Sequence, residues 1–152
     1  METGILTQFK DLGVAAVLGF AAMGSALWVV VAGQAAVGAW KKCYAQNKTA
    51  PFLLIVFIGA PLSQTIYGMI LMNKIVEAAS KGTYLWSLGI IGGIAIGMSA
   101  YFQGKIGAVA ADAMAEAGKG FTNYLIALGI IETVALFVMV FFLGKIGVLA
   151  GA

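Results

Sequence analysis

The sequence predicts an all-α membrane protein: four transmembrane helices, built as two duplicated helical hairpins, that assemble into a ring. Three observations carry this. Hydrophobic residues make up 62% of the 152 and charged residues only 10%, where a soluble domain has about 45–50% and 25%. The apolar residues fall into four long runs separated by short charged clusters. And the runs match each other in pairs. The composition also excludes several function classes. The chain has no histidine and a single cysteine, Cys43, which removes histidine-based catalysis, zinc sites of the usual spacing and an internal disulfide. The net charge of +3 comes wholly from lysine. On so apolar a chain that charge speaks of topology and a lipid bilayer, not of nucleic acid.

The first span is expected over residues 12–40, the second over 51–77, the third over 84–117 and the fourth over 121–149. Each exceeds the roughly 20 residues that cross a hydrocarbon core. The connections are short. Residues 41–50 carry Lys41, Lys42 and Lys48, residues 78–83 carry Lys81, and Gly118-Lys119-Gly120 is a tight turn. The positive-inside rule places the three-lysine loop in the cytoplasm. Loop 118–120 is then cytoplasmic as well, and both termini are outside. Residues 1–11 lack the basic start and cleavage site of a removed leader.

Residues 1–77 form the first predicted hairpin and 78–152 the second. Ser25-Ala26-Leu27-Trp28 answers Ser99-Ala100-Tyr101-Phe102, and Gly33 and Ala36 answer Gly107 and Ala110 at the same offset. Gln64-Thr65 falls on Glu132-Thr133. Both hairpins start on the same side, so the repeat is parallel. The first and third spans carry most of the glycine, with Gly89, Gly93 and Gly97 forming one bare stripe, while the second and fourth carry the bulk, including Phe57, Phe137 and Phe141. Small stripes let membrane helices approach closely. Two thin helices beside two thick ones make a wedge, and wedges set side by side close a ring.

Glu132 is the residue that needs explaining, because no other charge lies between Tyr124 and Leu143. A charge at the bilayer centre costs at least ~2.5–3.5 kcal/mol, so such a residue is functional by default. Counted from the cytoplasmic helix ends at ~1.5 Å per residue, Glu132 lies ~17 Å deep, Gln64 ~20 Å and Gln103 ~21 Å. Pro61 lacks an N–H and clashes with the preceding turn, which distorts the helix and frees carbonyl oxygens. Ser63 adds a hydroxyl. Tyr67, three residues past Gln64 and on the same face, can donate to a carboxylate. One carboxylate, two amides, a hydroxyl and an open carbonyl make an all-oxygen cage with one negative charge, suited to a hard monovalent cation. A proton alone would need only Glu132. Lys105 is expected to extend to the cytoplasmic surface.

The segments Pro61-x-Ser63-Gln64-x-x-Tyr67-Gly68, Gln103-Gly104-Lys105 and Glu132-Thr133 give the chain its family likeness. It resembles the ring-forming proteolipid (c or K) subunit of V-type ATPases, of the bacterial sodium-pumping kind. The resemblance implies a non-catalytic rotor subunit in a bacterial plasma membrane. Each protomer would carry one Na+, or alternatively H+, on Glu132, with no organic cofactor, as ATP hydrolysis elsewhere in the complex turns the ring. The implied Na+ ligands are Ser63, Gln64, Gln103, Glu132 and the Ala60 carbonyl, with Tyr67 locking the glutamate. The implied partners are further copies of the chain, a stator a/I subunit supplying an arginine, and central-stalk subunits at the cytoplasmic loops. Ser63 stands where close sodium-binding relatives would have threonine; the hydroxyl is kept. Two readings compete with this one: a small four-helix proton-coupled antiporter, whose acid would be expected in the first span, and a structural protein using Glu132 as packing glue.

Overall fold

The computed structural model describes Phe9 and residues 11–151. The leader reading over residues 1–11 and the placement of both termini therefore lie almost wholly outside the described residues. Within them the chain is helical, with no strand. Helix α1 is Leu12–Ala45, α2 is Leu54–Gly59, α3 is Ser63–Ser80, α4 is Trp86–Ala117 and α5 is Phe121–Leu149. A single 3-10 turn, Ala60–Leu62, joins α2 to α3. That turn sits at Pro61, where the missing N–H and the ring's clash with the preceding turn are expected to distort the helix. With α2 and α3 taken as one interrupted span, four helical spans are long and apolar enough to cross a membrane. Their bounds follow the four predicted runs, except that α1 continues five residues past the expected end. At about 51 Å, α1 outreaches a hydrocarbon core of about 30 Å, so its last two turns, with Lys41 and Lys42, have room to stand in water.

The connections are closed by local chemistry. Gly118 and Gly120 both have positive φ (67° and 97°), a conformation glycine adopts without a steric cost. This lets the chain reverse within three residues. Trp40 Nε1 donates to the Pro51 carbonyl at 2.7 Å and ties the α1–α2 connection back onto α1.

The glycines decide which helices touch. A Cβ on Gly24 would stand 2.5 Å from the Gly97 Cα, and one on Gly97 would stand 2.6 Å from the Phe20 carbonyl oxygen. One on Gly93 would meet the Ala16 carbonyl at 2.7 Å, and one on Gly104 would meet Trp28. The stripe Gly89, Gly93, Gly97 thus lies backbone to backbone against α1. The contacts advance along both helices together, from Gly13 with Gly89 to Trp28 with Gly104, so α1 and α4 run parallel. On α5 the bulky side chains Ile126, Ile130, Phe137 and Phe141 are exposed.

Two apolar clusters fill the bundle. One joins Val17, Leu71, Ile75, Ile96 and Ala135. The other joins Ala36, Leu54, Phe57, Ala111 and Leu128. The buried Gln64 on the second span and the buried Ser99 and Gln103 on α4 fall between these clusters, as does the half-buried Glu132 on α5. Lys105 corrects the sequence expectation. Its Nζ donates to the Tyr101 hydroxyl at 3.1 Å and stands 4.9 Å from that ring's centroid. Helical side chains lean toward their own N-terminus, and there Tyr101 offers both an oxygen and a π face. The ammonium therefore turns back along α4, away from the Ala117 end.

Candidate functional site

The three polar side chains expected at one depth meet. Gln64 and Gln103 are fully buried, and Gln64 Nε2 donates to Gln103 Oε1 at 2.8 Å. Gln103 Nε2 in turn donates to the Leu128 carbonyl at 3.1 Å and to Glu132 Oε2 at 3.3 Å. The other carboxylate oxygen, Oε1, accepts from the Tyr67 hydroxyl at 2.6 Å. Three spans are thereby linked through α3, α4 and α5. Each group fits the others chemically: an ionised carboxylate only accepts, and Tyr67 and Gln103 both supply donors.

The break at Pro61 adds a second group of oxygens. Ser63 Oγ donates to the Ala60 carbonyl at 3.1 Å and lies 3.3 Å from Gln64 Oε1. A hydroxyl, a carbonyl and an amide oxygen therefore converge on one side. Ala60, Ser63, Gln103 and Glu132 share a cleft of about 420 Å³ that Gly59 and Gly129 also line. Among the described residues, no three His, Cys, Asp or Glu side chains come together in a way that could hold a metal ion.

All the residues singled out in the sequence are brought into this one region: Ala60, Ser63, Gln64, Tyr67, Gln103 and Glu132. One detail differs from the expected cage. Gln103 presents its amide nitrogen, not its oxygen, to Glu132. Sequence reasoning also passes over Ser99, which it marks only as part of the Ser25/Ser99 repeat. Ser99 is buried, and its hydroxyl donates to the Ile131 carbonyl at 3.0 Å, next to Glu132. Lys105 is turned to Tyr101 and makes no ion pair with Glu132.

The fold and the site thus define an all-helical membrane bundle with one deep carboxylate, held by a tyrosine and an amide beside a broken helix. Residues 87–143 match the family model for the C subunit of ATP synthase; no curated protein matches the chain. The match covers a little over a third of the sequence and contains both Gln103 and Glu132. The chain thus resembles the rotor-ring proteolipids of rotary ATPases, a family that forms oligomeric rings working with an a subunit and a stalk.

The lock on the glutamate can be probed by itself. Tyr67→Phe removes one donor to Glu132 and leaves the ring in place. A hydrogen bond to a charged group contributes about 1.5–3 kcal/mol. The expected result is a cation affinity changed by roughly tenfold or more with the fold intact, read by ion-protection of Glu132 against a carboxyl reagent.

Proposed function

We propose that this chain is the ion-carrying rotor-ring subunit of a V-type ATPase, binding one Na+ per protomer at Glu132. Copies of the chain form the ring. Rotation coupled to ATP hydrolysis in the peripheral complex carries each ion across the membrane. The observation that carries the reading is the surplus of oxygen near a single acid: Ser63 Oγ meets the Ala60 carbonyl and Gln64 Oε1, and Ala60 and Ser63 line a cleft with Glu132. Protonation requires none of them, whereas a hard monovalent cation uses them all.

The mechanism is charge neutralisation. An empty site leaves Glu132 an anion, which is costly to expose to lipid. With Na+ bound the cage is neutral and can turn through hydrocarbon. An arginine on a stator subunit would then displace the ion. Moving one charge through 100 mV is worth about 2.3 kcal/mol, so binding must be weak enough for contacts of that size to reverse it. The cytoplasmic side of the bundle is assigned to the 41–50 and 118–120 loops, in a bacterial plasma membrane.

The test is carbodiimide labelling of the purified protein, with mass mapping, across pH and with added Na+ or K+. The reagent attacks a protonated carboxyl. Labelling at Glu132 that Na+ blocks near neutral pH, while K+ does not, is the expected outcome. Labelling indifferent to Na+ would turn the coupling ion to H+. Absence of labelling at Glu132 under every condition would defeat the carrier reading. An oligomer mass far above a dimer in mild detergent would separate a ring from the antiporter alternative.

A further inference from the structure

Helix α4 grips α5 at two backbone points, and Glu132 lies beside them. Ser99 and Gln103 are four residues apart on α4 and share one buried face, with exposures of 4% and 0%. Ser99 Oγ donates to the Ile131 carbonyl at 3.0 Å, and Gln103 Nε2 donates to the Leu128 carbonyl at 3.1 Å. These carbonyls stand one and four residues before Glu132. Each also serves the α5 backbone, and a carbonyl oxygen has a second lone pair for the side chain.

We propose that Ser99 is a positioning residue for the ion-carrying carboxylate: its hydroxyl, acting with Gln103, fixes the rotation of α5 and so aims Glu132 at Tyr67. Two carbonyls three residues apart, held from one neighbouring helix, define both the height and the rotation of α5. A binding constellation tolerates roughly 10–20° of misalignment, and the 2.6 Å bond from Tyr67 to Glu132 leaves little slack.

The first hairpin offers an internal comparison. At the offset that sets Ser25 against Ser99, Val29 stands against Gln103. Ser25 is equally buried, at 2%, yet its Oγ has no hydrogen-bond partner among the described residues. Gln64 stands where the second hairpin has Glu132. The two-point grip therefore occurs in the hairpin that has the acid and is missing from the one that lacks it. The carbonyl that corresponds to Leu128 in the first hairpin, that of Ala60, is instead met by its own chain's Ser63. A serine kept only for helix packing would give the two positions equal weight; the hydrogen bonding does not.

This inference rests on Glu132 being the carrier group, and its test separates the two. Carbodiimide labelling of Glu132 in the assembled full-length protein is titrated with Na+ and with pH, in wild type, Ser99→Ala, Ser99→Thr and Ser25→Ala. Interhelical hydrogen bonds in membranes contribute enough for a severalfold effect. Ser99→Ala should raise the Na+ concentration for half-protection about three- to tenfold. Ser99→Thr keeps the hydroxyl and should return near the wild-type value. Ser25→Ala should leave it unchanged. A Ser99→Ala titration that overlays wild type would overturn the proposal, as would a Ser25→Ala shift of equal size. If Ser99→Ala does not assemble, Ser99→Cys, of similar size but a weak donor, replaces it with the same expectation. If Na+ does not protect even the wild type, the sodium reading fails, and the pH of half-labelling becomes the readout. A shift there in Ser99→Ala but not in Ser25→Ala supports positioning, and no shift in either overturns it.

Discussion

Glu132→Gln should abolish Na+ transport while leaving the protein folded and inserted. The substitution keeps the volume and reach of the side chain: its single oxygen can accept from Gln103, and its new NH2 can donate to the Tyr67 hydroxyl, the partners now at 3.3 and 2.6 Å. What disappears is the charge. A neutral cage around Na+ would become a cation in hydrocarbon, without the partner that makes its burial bearable. Removing one member of a buried charge pair costs about 3–5 kcal/mol, which corresponds to a loss of roughly 10²- to 5 × 10³-fold in affinity. Transport of ²²Na+ by the reconstituted complex should fall to background, and carbodiimide labelling at position 132 should vanish. A variant that still pumps Na+ would mean that the ion is not carried on this carboxylate. The same experiment discriminates against the packing-glue alternative, in which an amide would serve as well as an acid and transport would not change.

The sequence made the spans legible because lipid imposes a rule that needs no tertiary knowledge: every backbone group must be satisfied within its own helix over a fixed length. The break at Pro61 was legible for the same reason, since proline's missing donor acts locally. The meeting of Gln64, Gln103 and Glu132 could be anticipated from depth, because helical rise converts residue number directly into distance. Rotation about the helix axis was the part depth could not supply. Which atom of the Gln103 amide faces Glu132, and that Ser99 reaches the Ile131 carbonyl, depend on how α4 and α5 are turned toward each other. A four-helix bundle that is apolar on every face carries little amphipathic signal to fix that angle. Lys105 shows the same limit. Its distance from the helix end suggested the nearest water, but the lean of the side chain and the Tyr101 ring one turn back decided its direction.

Gly97→Leu should separate α1 from α4 and prevent assembly of the bundle. At Gly97 even a Cβ would stand 2.6 Å from the Phe20 carbonyl oxygen, and on the facing helix a Cβ at Gly24 would stand 2.5 Å from the Gly97 Cα. The obstacles are backbone atoms, so no rotamer change can relieve the clash. Overpacking by single methylenes already costs about 1–3 kcal/mol, and leucine brings four carbons to a contact with room for none. Because membrane helices associate by close packing rather than by escape from water, little remains to hold α1 and α4 together once their backbones are forced apart. The site should fail with them. Gln103 lies on the α4 face that meets α3 and α5, six residues from Gly97, and a shift of α4 would carry it off Gln64, Leu128 and Glu132 together. Gly97→Ala should show a graded loss of thermal stability. Gly38→Ala, where a Cβ meets nothing within 4 Å, should be neutral or slightly stabilising within the single chain, since alanine favours a helix by about 1 kcal/mol over glycine. Thermal unfolding in mild detergent, with oligomer mass read in parallel, distinguishes the three. Equal tolerance of leucine at 97 and alanine at 38 would mean that α1 and α4 do not meet along the glycine stripe. The thin inner layer on which a wedge-shaped protomer depends would then be absent.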